Sequence, residues 1–187
     1  MSGLMQLMAP AAEPVSLVEA KQHLRIDHTH EDALITGLIQ TAREVAEKHL
    51  NRSLIRQQWR MVRDTWPMGA VRFPRAPLIG VDQVRVADGD GVFSVLSSDL
   101  FIINSHAEPG LMVLRTGSHR PQPGQKIGGI EIDFTAGYGD NWNAVPAAIR
   151  LGLLQLIAHY FEIRSTTGNI PGGVLHIWNP FKVMRLA

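Results

Sequence analysis

Arg52, Arg56, Arg60 and Arg63 follow one another along a short stretch in which the nearest acid is Asp64. Guanidinium groups at this spacing suit two chemistries, pairing with phosphates or pairing with carboxylates. Arg56 and Arg60 fall on one face of an alternating segment, so both uses stay open: contact with DNA, or solvated and subunit-contacting arginines. The histidines are less promising. His23, His28 and His30 are close in sequence, but zinc needs three or four converging ligands. His28 and His30 do not share a face of a continuous helix, and the chain has no cysteine. Capping and surface roles are the expectation for them. His159 stands beside Tyr160 and Glu162 with no nucleophile or second ligand in view.

The acids do not complete a catalytic set either. Asp88-Gly89-Asp90-Gly91 begins like a calcium loop, yet Val92 and Phe93 occupy positions where an oxygen ligand and a glycine belong. A hairpin turn is the simpler reading. Glu131 and Asp133 alternate with Ile130, Ile132 and Phe134, which makes them the wet face of a strand. Gly137-Tyr138-Gly139 lacks the remaining glycine of a dinucleotide fingerprint. The chain therefore reads as a non-enzyme with no metal and no cofactor.

Composition sets further bounds. A charged fraction of 19% with 45% apolar residues describes a folded globular chain. A net charge of +1 supplies no global field toward nucleic acid or an anionic membrane. Met1–Met8 has neither the basic region nor the apolar run of a signal peptide, and no uncharged apolar stretch is long enough to span a bilayer.

Three helices are needed to position these residues. Ser16 caps the first, with Glu19 completing a capping box, Val15 as staple, and Leu17, Ala20 and Leu24 at helical spacing. The second runs from Glu31 to about Leu50 on a stripe of Leu34, Ile35, Leu38, Ile39, Ala42, Val45, Ala46 and His49 or Leu50. Arg43 and Glu47 pair on another face, and Asn51 caps the end. The third opens at Val145-Pro146 and buries Ile149, Leu153, Leu156, Ile157 and Tyr160. Between them the period changes to two, giving strands around residues 56–63, 71–73, 81–86, 92–96, 101–104, 111–115 and 130–136.

The segment from Ser165 to Ala187 is the least self-sufficient part. Asn169 through Gly173 breaks any helix, and Pro180 interrupts the remainder. Ile170, Val174, Leu175, Ile177, Trp178, Phe181, Val183, Met184 and Leu186 are nevertheless apolar. Burying four of the larger side chains contributes about 6–12 kcal/mol before ordering costs. The segment either folds back on its own domain or is buried against another chain.

A series of segments, in sequence order, carries a resemblance. Val15 to Ile26 followed by Asp32-Ala33-Leu34-Ile35 resembles the opening of the head–tail connector, or adaptor, proteins of tailed phages and gene transfer agents. The likeness continues through Ala42–Glu47, Asn51–Trp59, Phe73–Leu78, Phe134–Gly139, Val145–Arg150 and His159–Arg164. It implies an α+β fold, a three-helix bundle interrupted by an inserted, mainly antiparallel β subdomain, with an extended C-terminal tail. It implies a non-enzymatic ring, commonly of twelve copies, beneath the portal and above the tail stopper or next tail-proximal component. The resemblance further implies that DNA passes through the channel with only transient, non-specific proximity, that no membrane is involved, and that the protein sits at the head–tail junction after assembly in the bacterial cytoplasm.

The expected organisation is a flexible segment over 1–14, a helical hairpin over 15–50, the β subdomain over 51–144, a closing helix over 145–164 and a tail over 165–187. The tail, from Ile170 to Leu186, is expected to contact the portal and to fold largely on doing so. Removing it is expected to leave the helices folded. Arg52, Arg56, Arg60 and Arg63 are expected at subunit interfaces or the DNA channel. A non-enzymatic DNA-binding module using those arginines is the alternative.

Overall fold

The computed structural model describes residues 2–163 and 169–184, which fall into two compact units. One contains Met1–Ala9 and Arg56–Gly137; the other contains Pro10–Ile55 and Tyr138–Ala187.

The helical unit begins with α1 (Leu17–Leu24). Its capping box is complete: the Glu19 amide donates to Ser16 Oγ at 3.2 Å, and the Ser16 amide donates to Glu19 Oε2 at 3.1 Å. Glu19 also pairs with Arg150, whose Nε donates to the Pro14 carbonyl at 3.2 Å. α2 (Asp32–Leu50) ends on Asn51 in the left-handed region, at φ 57°. α3 (Ala147–Ile163) supplies Ile149, Leu153, Leu156, Ile157 and Tyr160 to a core shared with Ile35, Leu38, Ile39, Ala42, Ala46 and Leu50. Leu34, expected in the buried stripe, is 48% exposed. The stripe is narrower than the spacing predicts, because Ile35 and Leu38 already fill the face that α3 covers.

The Arg43–Glu47 pair expected from the spacing forms, and it is buried, at 6% and 5% exposure. Arg43 Nη1 donates to Glu47 Oε2 at 3.2 Å and Arg43 Nε to Glu13 Oε2 at 2.8 Å. Glu47 Oε1 accepts from the Leu54 amide at 2.8 Å. Buried charges must be paired and hydrogen-bonded, and here the pairing ties the segments before α1 and after α2 to the middle of the bundle.

The other unit is built on two antiparallel sheets. The first is ordered β1 (Ser2–Met8), β2 (Gln57–Arg63), β8 (Ile130–Ala136), β4 (Leu78–Ala87) and β5 (Phe93–Val95). The second is ordered β3 (Val71–Arg72), β7 (Leu111–Leu114) and β6 (Phe101–Asn104). Trp59, Met61, Phe73, Met112, Ile132 and Phe134 belong to their common core, with the Phe73 and Phe134 rings 4.9 Å apart.

The start of the chain departs from the flexible segment expected there. Ser2–Met8 is a strand, with Leu4 opposite Met61 and Gln6 opposite Trp59. The segment carries no proline and no charge, so it completes a ladder along β2. Gln6 Nε2 donates to Gln57 Oε1 at 2.7 Å, satisfying a buried side chain on β2.

Candidate functional site

The tail is where structure and expectation differ most. Beyond α3 the described chain resumes at Asn169 and forms α4 (Gly172–Trp178), followed by a 3₁₀ turn over Asn179–Phe181. Pro171 stands at the N-cap, where a missing N–H costs nothing. Val174 and Trp178 are one helical turn apart and both are buried in the helical core. Their burial contributes about 3–6 kcal/mol before ordering costs. The Trp178 indole N–H donates to the Ile149 carbonyl at 3.1 Å. Gly152 makes room for it, since a Cβ there would collide with Trp178 Nε1.

Past Trp178 the chain is clasped to the end of α2. The Val183 amide donates to the Leu50 carbonyl at 2.9 Å, and Asn51 Nδ2 donates to the Val183 carbonyl at 2.9 Å. Arg52 Nε donates to the Phe181 carbonyl at 2.5 Å, with its guanidinium 5.7 Å from the Tyr138 ring centroid. The His49 ring lies 6.3 Å from the Trp178 ring. Burial, and then the positive charge of Lys182, hold the His49 pKa below its ordinary value, against a hydrogen bond with Asn179.

This redistributes the nine tail residues. Val174, Trp178 and Val183 are buried within the helical unit. Ile170, Ile177 and Phe181 pack against its core half-buried, Leu175 is half-buried, and Met184 is 72% exposed. Leu186 lies outside the described residues, as do Ser165 and Arg164, the last residue expected in the closing helix. The tail is thus not extended over its described length. It folds on its own helices, because α4 supplies an apolar face that the gap beside α3 accepts.

The four arginines do not converge into one cationic patch. Arg52 is buried in the clasp and belongs to the helical unit, whereas Arg56, Arg60 and Arg63 belong to the sheet unit. Arg60 grips Asp133 with two bonds of 2.7 and 2.8 Å and approaches Glu131 at 3.5 Å. On the strand beyond β8, Arg85 reaches Glu131 at 2.5 Å and Asp133 at 3.8 Å. Two bases and two acids therefore cancel across β2, β8 and β4. Hydrogen bonding to Asp133 raises the Arg60 pKa further above its ordinary value. Arg63 Nε makes a long 3.4 Å contact to the Thr65 carbonyl, and Arg56 is exposed.

The remaining chemical candidates have structural explanations. Asp88 Oδ1 accepts from the Asp90 and Val92 amides, both at 2.9 Å, which shapes the turn between β4 and β5. The His28 and His30 rings lie 5.6 Å apart, and His28 lies 3.9 Å from Glu31. Among the described residues no three His, Cys, Asp or Glu side chains gather as a metal site, and no helix is long and apolar enough to cross a membrane. The docking of α4 escapes sequence reasoning. Its one legible signal is Gly152 inside an otherwise strong helical pattern, a common mark of close packing.

Residues 14–89 match the sequence profile of the phage gp6-like head-tail connector protein family. No curated protein matches the chain by sequence. Among solved structures, the chain is similar to one in the neck of a native gene transfer agent particle computed with C12 symmetry, at 26% identity and a TM-score of 0.76, covering 98% of this chain and 97% of that one. A chain in the neck of the empty particle, computed with C6 symmetry, gives 25% identity and a TM-score of 0.80, covering 99% and 97%. A chain of the native virion shares the fold at 24% identity and a TM-score of 0.81, covering 98% and 97%.

Proposed function

We propose that this chain belongs to the head–tail connector family of phages and gene transfer agents, whose profile its residues 14–89 match, and that it is a structural adaptor that closes a ring at the head–tail junction. The observation that carries this reading is the near-complete correspondence, 98% of this chain and 97% of the other, with a neck component in a particle computed with C12 symmetry. A closed ring requires two different, complementary surfaces on each copy. Twelve copies, seated between the portal and the next tail-proximal component, are the expected assembly, formed in the bacterial cytoplasm. DNA passes through the channel.

Within that assembly the portal contact falls to the exposed side of α4 and to Met184 and the chain beyond it. Val174 and Trp178 serve as an internal foot that holds this contact in place. Arg56 and Arg63 are the members of the arginine group with the most outward positions for a neighbouring copy or the channel. Electron microscopy of the protein mixed with its cognate portal tests the reading. A ring stacked coaxially on the portal is the expected image; portal particles with no stacked density at a large molar excess of this protein would overturn it.

A further inference from the structure

We infer that Asn51 and Arg52 act as a positioning clasp, which fixes where and in what direction the C-terminal chain leaves the helical unit, so that the portal anchor is set before the portal is met. This rests on the reading that the chain beyond Val183 touches the portal.

The division of labour along the tail supports this. Trp178 and Val174 already hold α4 in the core, so most hydrophobic burial of the tail ends there. Of Asn179 to Val183 only Val183 is buried, with Phe181 half-buried against the core. Three directed hydrogen bonds join the segment to Leu50, Asn51 and Arg52, beside the one between His49 and Asn179. Two of them form a reciprocal pair: Val183 donates to Leu50 and accepts from Asn51. The third fixes the Phe181 carbonyl through Arg52, which is itself buried beside Tyr138. Asn51 and Arg52 are consecutive, and Asn51 takes the left-handed conformation that ends α2. The residue that stops the helix thus also grips the tail. Hydrogen bonds contribute little net stability but are directional. Three of them around one strand of chain fix a trajectory, and preorganisation of this kind lowers the ordering cost of association.

The clean variant is Asn51→Gly, because glycine keeps the left-handed cap while deleting the amide. Arg52→Met removes the second donor and retains an unbranched apolar stem. Both are made in the full-length chain and checked by far-UV circular dichroism. Hydrogen exchange then reports on the Val183 amide, and a titration reports on affinity for the cognate portal. The clasp predicts unchanged helix content, faster Val183 exchange and about fivefold weaker portal binding for each donor removed, the ratio that corresponds to about 1 kcal/mol per bond. Variants that bind the portal as tightly as the parent despite faster exchange would overturn the positioning role. Unchanged exchange in both variants would overturn the clasp itself. A parent protein that shows the expected exchange pattern but no portal binding would instead sink the portal reading on which the inference rests.

Discussion

At Gly152 the space that a side chain would fill is taken by the indole of Trp178. Gly152→Ala gains about 1 kcal/mol of helix propensity, but overpacking costs about 1–3 kcal/mol and the bond to Ile149 is strained as well. Denaturant unfolding is expected to show net destabilisation in the parent. The sign reverses in a Trp178→Ala background, where the space is empty and only the propensity gain remains. His49 carries a pH dependence. Its folded pKa lies below the ordinary value of 6.5 because of burial and Lys182, so the unfolded chain takes up a proton first as the pH falls. Stability is full above that value and declines on acidification until the folded pKa is passed. His49→Gln is expected to flatten that part of the profile; a slope identical to the parent's would remove His49 as the cause. Residue-scale features bridged by a few positions are legible in advance, as with Ser16 and Glu19, Asn51, or Asp88. Each bonds backbone within five residues, so spacing alone brings the partners together.

At the scale of elements, β1 and α4 carry the surprises. β1 offers no strong alternation, since Gly3, Met5, Leu7 and Met8 are all exposed. Its strand state depends on β2 presenting an open edge, which no local window reveals. α4 is only seven residues long, too short to be stable in isolation. It forms because Val174 and Trp178 find a core waiting. Truncation after Arg164 is therefore expected to lower the thermal midpoint of the helical unit by about 10 °C or more, since it removes a buried Trp and Val whose loss costs about 3–5 kcal/mol. Melting indistinguishable from the full-length chain would show that the tail contributes nothing to the core. The three long helices, by contrast, are visible from periodicity. Their stripes are long enough that one misplaced residue, Leu34, does not change the assignment.

Charge is a property of the whole molecule. The net charge is +1, Arg52 is engaged in the clasp, and Arg60 is neutralised by Asp133 and Glu131. The isolated protein is accordingly expected to bind duplex DNA weakly at about 0.15 M salt, without the steep salt slope of a multi-phosphate contact. Tight binding that collapses between low and moderate salt would favour the DNA-binding alternative.

The tail that reads as apolar and helix-broken shows how the two kinds of information divide. Residue types alone require that the tail be buried, because so many large side chains lie beside so little polar cover. They also specify the three helices and the alternating strands, which depend on short-range periodicity. The place of burial is a tertiary matter. Trp178 meets Ile149 and Gly152 across the bundle, and Val183 meets Leu50 and Asn51 from the far end of the chain. The depth of that gap and the direction of those carbonyls are set by how α2 and α3 pack, which no local pattern encodes.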